Sequence, residues 1–234
     1  MERIIMLILK KFYRVPFWHR KLCKYDSSSY TESEKYNIVR DIVKSINKSA
    51  NVDIHCEGLE NIPEENGFVM FPNHQGLFDA LVMIDTCDKP ITFVIKKEID
   101  KVRPLRKILS VLDVKMIDRG DIKQSMKLII NVIQEVRSGR NYVIFAEGTR
   151  SRDKNNLLPF KGGSFKSAVK AKAPIVPVAI MDSYKVFDNH SIKRVTVSIS
   201  YLPPITYEEY KDMKTVDIAK EVKKRIENKI KESC

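Results

Sequence analysis

From residue 51 onward the chain alternates short apolar runs of strand character with longer segments that have room for a helix, and this alternation restricts the fold more than any other feature. Val52, Ile54 and Cys56 alternate with polar neighbours, which is the period of a half-buried strand. Further strands are predicted over residues 67–71, 91–96, 111–116, 142–146, 175–180 and 195–201. Ile122, Met126, Ile129, Ile130, Ile133 and Val136 fall at helical spacing and end at Ser138-Gly139, so an amphipathic helix is expected there. Ile218, Val222, Ile226 and Ile230 recur every fourth residue with mixed charge between them, which predicts a closing surface helix. Strands interleaved with helices imply an α/β fold, with a mixed, largely parallel sheet flanked by helices.

The first 50 residues have a different texture and are expected to form an N-terminal helical hairpin (1–50) ahead of the main domain (51–234). Thr31 and Glu34 match a capping box, followed by Ile38, Val39, Ile42, Val43 and Ile46 on one helical face. Of the chain's net charge of +12, half lies in the first 25 residues, where seven Lys or Arg face a single Glu. Such an excess seeks an anionic surface, either nucleic acid or lipid, and the apolar company it keeps separates the two. Here Lys10, Lys11 and Arg14 sit among Ile5, Ile8, Leu9, Phe12, Phe17 and Trp18, a mixture suited to the headgroup boundary of a membrane rather than to nucleic acid. A helix packed on the core with a solvated basic face is the competing reading. No stretch reaches the roughly 18 apolar residues of a membrane-spanning helix, and the N-terminal apolar run lacks a small-residue cleavage site after it. Cys23, Cys56, Cys87 and Cys234 show no metal-ligand spacing and are too sparse for a disulfide framework, which fits a reducing compartment.

Two polar motifs directly follow strand-like runs. Asn73-His74-Gln75-Gly76-Leu77-Phe78-Asp79 places an imidazole and a carboxylate five residues apart. On a regular helix that spacing points them in different directions, so His74 and Asp79 meet only across a bent segment, and Gly76 is expected to permit that bend. A carboxylate that holds one imidazole nitrogen leaves the other as a base; a capping Asp beside a surface His is the plainer alternative. Glu147-Gly148-Thr149-Arg150-Ser151 follows the strand predicted over 142–146, Arg119 follows another, and Lys161 lies in the glycine-rich turn Phe160-Lys161-Gly162-Gly163. In open α/β sheets such strand ends converge on one crevice, and a guanidinium fork there suits a phosphate.

Taken in order, Asn73-His74-x4-Asp79, Ile117-Asp118-Arg119, Phe145-x-Glu147-Gly148-Thr149-Arg150-Ser151 and Val176-Pro177-Val178 resemble the four sequence blocks of the glycerolipid acyltransferase family, over about residues 68 to 182. The resemblance implies transfer of a fatty acyl group from a thioester donor, acyl-CoA or acyl carrier protein, to the free hydroxyl of lysophosphatidate. It implies His74 as general base, Asp79 as its orienting partner, and Arg119, Glu147, Gly148, Thr149, Arg150 and Lys161 on the acceptor-phosphate side, with Pro177 shaping the fourth block. It also implies a hairpin resting on the cytoplasmic face of the cell membrane, peripheral or monotopic. One departure stands out: the family often carries two lysines after the phenylalanine, whereas here the pair is Lys161-Gly162. No metal and no cofactor are expected, because His74 and Asp79 lack companion ligands. Glycerol-3-phosphate or another lysophospholipid as acceptor, a thioester hydrolase, and a basic membrane-binding protein without activity are the alternatives.

Overall fold

The computed structural model describes residues 15–26, 29–101, 103–118, 120–188 and 193–233. Among the described residues two helices come first, α1 (Val15–Tyr25) and α2 (Glu32–Ser49). The order thereafter is β1 (Val52–Glu57), β2 (Val69–Pro72), α3 (Phe78–Thr86), β3 (Ile91–Lys96), α4 (Arg103–Val111), β4 (Lys115–Ile117), α5 (Ile122–Arg137) and β5 (Asn141–Ile144). The chain closes with α6 (Lys166–Ala171), β6 (Ile175–Met181), α7 (Tyr184–Asp188), β7 (Val195–Tyr201), α8 (Tyr207–Tyr210) and α9 (Thr215–Glu232).

The strands form one seven-stranded sheet in the order β1-β7-β6-β2-β5-β3-β4. Every neighbouring pair is parallel except β6 and β7. The expected mixed, largely parallel sheet is thus the one observed. Every residue of the central strands β2 and β6 is buried, as a strand covered on both faces requires. Pro177 sits in β6 one residue before its antiparallel ladder with β7 begins at Val178, so that ladder loses no N–H to the proline.

Strand periodicity divides the core into two layers. Met70, Phe93, Val143, Val176, Val178 and Ile180 face a layer built with α2, α3 and α4, while Val69, Phe71, Tyr142, Ile175 and Ala179 face one built with α5, α6 and α9. The N-terminal helices belong to the first layer. Tyr36, Val39, Ile42 and Val43 of α2 are buried in it, and Leu22 of α1 joins them, so packing is continuous across residue 50. The predicted capping box is present: Glu34 N–H donates to Thr31 Oγ1 at 3.3 Å, and Thr31 N–H donates to Glu34 Oε2 at 2.8 Å. Arg140 Nε, at the start of β5, donates to Glu32 Oε1 at 2.8 Å and ties α2 to the sheet from its other end. No helix among the described residues is long and apolar enough to cross a membrane.

Two expectations need correction. The strand predicted over 111–116 is shorter, at Lys115–Ile117, because Val111 ends α4 and Asp113 turns the chain with φ 47°. Helix α5 has the predicted extent, but only Val132 and Val136 of it are buried, while Ile122, Met126 and Ile130 are 73%, 60% and 52% exposed. Its apolar residues cover more of the circumference than one packed face can absorb. The closing helix is as expected: Ile218, Val222, Ile226 and Ile230 of α9 are buried against the second layer, while charged residues such as Asp217, Lys220 and Lys224 stay exposed on its outer face.

Candidate active site

The chain leaves β2 with Pro72 paired to Val178. Asn73 then continues the ladder with its side chain, donating from Nδ2 to Ile180 O at 2.9 Å and accepting Ile180 N–H at Oδ1 at 2.7 Å. His74 follows. Its N–H donates to Glu147 Oε1 at 2.8 Å and its carbonyl accepts Ser151 N–H at 2.7 Å, so the loop after β5 grips the loop after β2 at both backbone atoms of one residue.

The His74 Nδ1 lies 2.7 Å from Asp79 Oδ2. Asp79 is fully buried in the first turn of α3, whereas the His74 side chain is 24% exposed. A buried carboxylate at that distance assigns the proton of the neutral imidazole to Nδ1 and leaves Nε2 as the basic nitrogen. The same Oδ2 accepts the N–H groups of Gln75 and Gly76, at 2.6 and 2.9 Å, and those bonds hold the bend. Glycine is not what permits it. Gly76 has no left-handed φ, and a Cβ placed there would meet no atom within 4 Å. The Phe145 ring lies against the imidazole, with centroids 4.2 Å apart.

Topology explains why this crevice exists. Strands β2 and β5 are neighbours, yet the chain leaving β2 crosses one face of the sheet through α3 towards β3, and the chain leaving β5 crosses the other face through α6 towards β6. Adjacent strands whose connections diverge open a cleft at their carboxyl ends. Both polar motifs sit there.

Other expected site residues divide into several groups. Glu147 is only 2% exposed, and both of its oxygens are occupied by backbone donors, His74 N–H and Leu158 N–H, the latter at 3.0 Å. Burial raises its pKa above the usual carboxylate range, the two N–H bonds oppose the rise, and the nearby Asp79 charge adds to it. Its place is therefore behind the dyad, joining two loops, rather than on an open acceptor surface. Gly148 turns with φ 74°, a conformation that suits glycine. Thr149 and Arg150 are exposed beyond it, and the Arg150 guanidinium has a loose ionic partner in Asp188 at 3.8 Å. The Lys161 side chain is exposed while its N–H donates to Ala146 O at 2.9 Å. The departure at residue 162 has a steric reason: a Cβ on Gly162 would approach Val216 N of α9 to 3.0 Å. Arg119 lies outside the described residues, as do Ile5, Ile8, Leu9, Lys10, Lys11, Phe12 and Arg14. Of the remaining membrane candidates, Phe17 is 63% exposed while Trp18 packs partly buried against the first core layer.

Sequence reasoning missed the polar residues that brace the dyad. The motif's spacing gives no role to Asn73 or Gln75, and nothing in the local sequence marks Asn155. Ser183 had one usable signal, a polar pair Asp182-Ser183 directly after an apolar strand on the crevice side of the sheet. Among the described residues no group of His, Cys, Asp and Glu is arranged to hold a metal ion. An apolar cavity of about 70 Å³ beneath α5 and a polar hollow of about 350 Å³ beside Arg140 are both lined by residues other than His74 and Asp79.

A Borreliella burgdorferi 1-acyl-sn-glycerol-3-phosphate acyltransferase is 29% identical over 150 residues, 64% of this chain and 60% of that protein. A Mycoplasma genitalium protein named as a probable 1-acyl-sn-glycerol-3-phosphate acyltransferase is 30% identical over 190 residues, 74% of this chain and 70% of its own length. The crystal structure of the 1-acyl-sn-glycerophosphate acyltransferase of Thermotoga maritima superposes with a TM-score of 0.76, covering 99% of this chain and 98% of that one at 20% identity, which establishes a shared fold. Residues 53–181 match the acyltransferase family model, a span running from β1 through both polar motifs to the end of β6, and the chain therefore belongs to the acyltransferase family.

Proposed function

We propose that the protein is a 1-acyl-sn-glycerol-3-phosphate acyltransferase, which makes phosphatidate from lysophosphatidate and an acyl thioester. The observation that carries this reading is the 2.7 Å bond between His74 Nδ1 and the fully buried Asp79 carboxylate. The names of its relatives supply the acceptor and the residues supply the chemistry. The acceptor hydroxyl gives its proton to His74 Nε2 as its oxygen attacks the thioester carbonyl carbon. Collapse of the tetrahedral intermediate breaks the C–S bond, and the departing thiolate of coenzyme A or acyl carrier protein recovers a proton from the imidazolium. Asp79 fixes the tautomer and opposes the imidazolium charge while that ion lasts. General-base assistance of this kind contributes about 10²–10⁴-fold. No covalent acyl-enzyme is needed.

Arg150 and Lys161, exposed beside the loop that holds His74, are the cations assigned to the acceptor phosphate, and Arg119 completes the set by its place in the second family block. The working site is a membrane surface on the cytoplasmic side, where a lysophospholipid and a water-soluble thioester can meet; the basic, aromatic N-terminal segment and the exposed Phe17 support that setting. The test is an acceptor panel of lysophosphatidate, glycerol-3-phosphate and lysophosphatidylcholine, each offered with acyl-CoA and with acyl carrier protein thioester. Phosphatidate from lysophosphatidate, with little product from the other two, is expected. Free fatty acid released equally with and without acceptor would make the protein a thioester hydrolase instead.

A further inference from the structure

We infer that Ser183 is a positioning residue for acyl transfer, acting through Asp79, and that Gln75 and Asn155 hold it in place. The inference rests on the dyad reading above. Ser183 lies in the turn between β6 and α7 and is 1% exposed, so its hydroxyl must find its partner inside the protein. That partner is Asp79 Oδ1, the oxygen that His74 does not use. Gln75 Oε1 stands 2.9 Å from the same hydroxyl, but the charged carboxylate is the stronger acceptor, so the single proton goes to Asp79.

The surrounding amides fix the serine from behind. Ser183 N–H donates to Gln75 Oε1 at 3.0 Å, which sets the orientation of the Gln75 amide. Its Nε2 then donates to Asn155 Oδ1 at 2.7 Å. Asn155 Oδ1 also accepts Asp182 N–H at 3.0 Å, and Asn155 Nδ2 donates to Asp182 Oδ1 at 3.2 Å. Three loops, those after β2, β5 and β6, therefore meet in one chain of bonds that ends on the catalytic carboxylate.

The consequence concerns the plane of that carboxylate. Oδ2 accepts three N–H groups, one of them from the imidazole, and these already resist rotation of the carboxylate about its Cβ–Cγ axis. A donor on Oδ1 holds the other oxygen as well, stiffens the group further, and with it limits the tilt of the imidazole. A displacement of about 1 Å at a reacting atom costs about a hundredfold in rate. Partial loosening of this kind should cost less.

The test uses the full chain in mixed micelles of lysophosphatidate and detergent with acyl-CoA. Ser183→Ala is expected to lower kcat about tenfold, while KM for both substrates stays within about twofold, the pattern of a group that orients chemistry without binding substrate. Ser183→Thr, which keeps the hydroxyl, is expected to recover most of the rate. In ¹H NMR the downfield resonance of His74 Nδ1–H, assigned by its absence in His74→Ala, should move or broaden in Ser183→Ala and return in Ser183→Thr. A merely structural serine would lower thermal stability without moving that proton. If Ser183→Ala does not fold, Asn155→Ala, a change at a half-buried position, carries the test, with the same proton shifted and kcat about threefold lower. Wild-type kcat in the variant that folds, or an unchanged resonance in it, overturns the inference. Full turnover by His74→Ala is a separate result that would remove the dyad itself, so the two failures are distinguishable.

Discussion

Asn73 and Ile180 exchange two hydrogen bonds, with the side-chain amide of the first standing in for a peptide group opposite the second. This lets β2 part from β6 without leaving the Ile180 backbone unpaired, and the gap so made holds the loop that carries His74 and Asp79. Asn73→Asp keeps the shape but replaces the donor with a second acceptor facing Ile180 O. A stability loss of about 1–3 kcal/mol is expected for the buried unsatisfied groups, with kcat falling because His74 is the next residue. Urea denaturation and turnover measured on the same preparation check both.

His74→Ala and Asp79→Asn should differ in one respect. Each is expected to lower acyl transfer by about 10²–10⁴-fold. The His74 side chain is partly exposed, so its removal should leave the melting temperature near that of the wild type. Asp79 accepts two backbone N–H groups as well as the imidazole, so an amide in its place turns a donor towards donors and should also lower the melting temperature. Calorimetry beside the activity assay separates the two variants.

Glu147 gives a pH dependence whose sign follows from burial. Its folded pKa is raised above the ordinary value of 4.5, so the folded state binds this proton more tightly than the unfolded state does. The resulting stability is fully present below pH 4.5 and declines as the pH rises through the folded-state value. Glu147→Gln does not titrate, so the stability of the wild type relative to the variant should fall across that window and level off above it. Urea titrations at several pH values test this, and a difference that grows with pH would contradict it.

Arg150→Lys keeps a charge but loses the planar fork. If the fork holds the acceptor phosphate, KM for lysophosphatidate should rise about tenfold while KM for acyl-CoA stays within about twofold. A rise confined to the donor would move Arg150 to the other substrate.

Deleting residues 1–49 would strip from the first core layer the buried side chains of Tyr36, Val39, Ile42 and Val43, each worth about 1.5–3 kcal/mol. The truncated chain is therefore expected to lose its cooperative unfolding transition. A point substitution is the gentler probe of the membrane role. Phe17→Asp should weaken sedimentation with vesicles of phosphatidylglycerol and phosphatidylcholine without changing the melting temperature, because the ring is exposed in the protein alone. Unchanged sedimentation would place the lipid contact elsewhere.

Period and punctuation made the fold legible in the sequence. Apolar runs marked strands, isoleucines at spacing four marked α2 and α9, and the two polar motifs lay after β2 and β5 as expected. What stayed hidden depends on contacts between distant residues. The outward stripe of α5 cannot be told from its inward one by period alone, since both are apolar. The family resemblance puts Glu147 among the acceptor contacts, whereas its environment is set by N–H groups at residues 74 and 158. Gly76 looked like a hinge because glycine often is one, but two backbone bonds to Asp79 do the bending. Ser183 acquires its part only when β6 lies beside β2, more than a hundred residues away in the chain.

Strand β1, at the edge of the sheet, has β7 as its neighbour, so residues 52–57 pair with residues 195–200. During synthesis, β1 must wait through roughly 140 further residues, about 7–28 s at ordinary elongation rates, before that partner exists. The site-bearing strands β2, β5 and β6 are all made earlier, yet α9, whose start packs against Gly162 in the Lys161 turn, is made later still. Pairings this distant in sequence are the slow ones in folding. A ribosome stalled after β6 would carry a chain with its dyad residues already made, an unpaired β1, and an apolar second layer still lacking the helix that covers it.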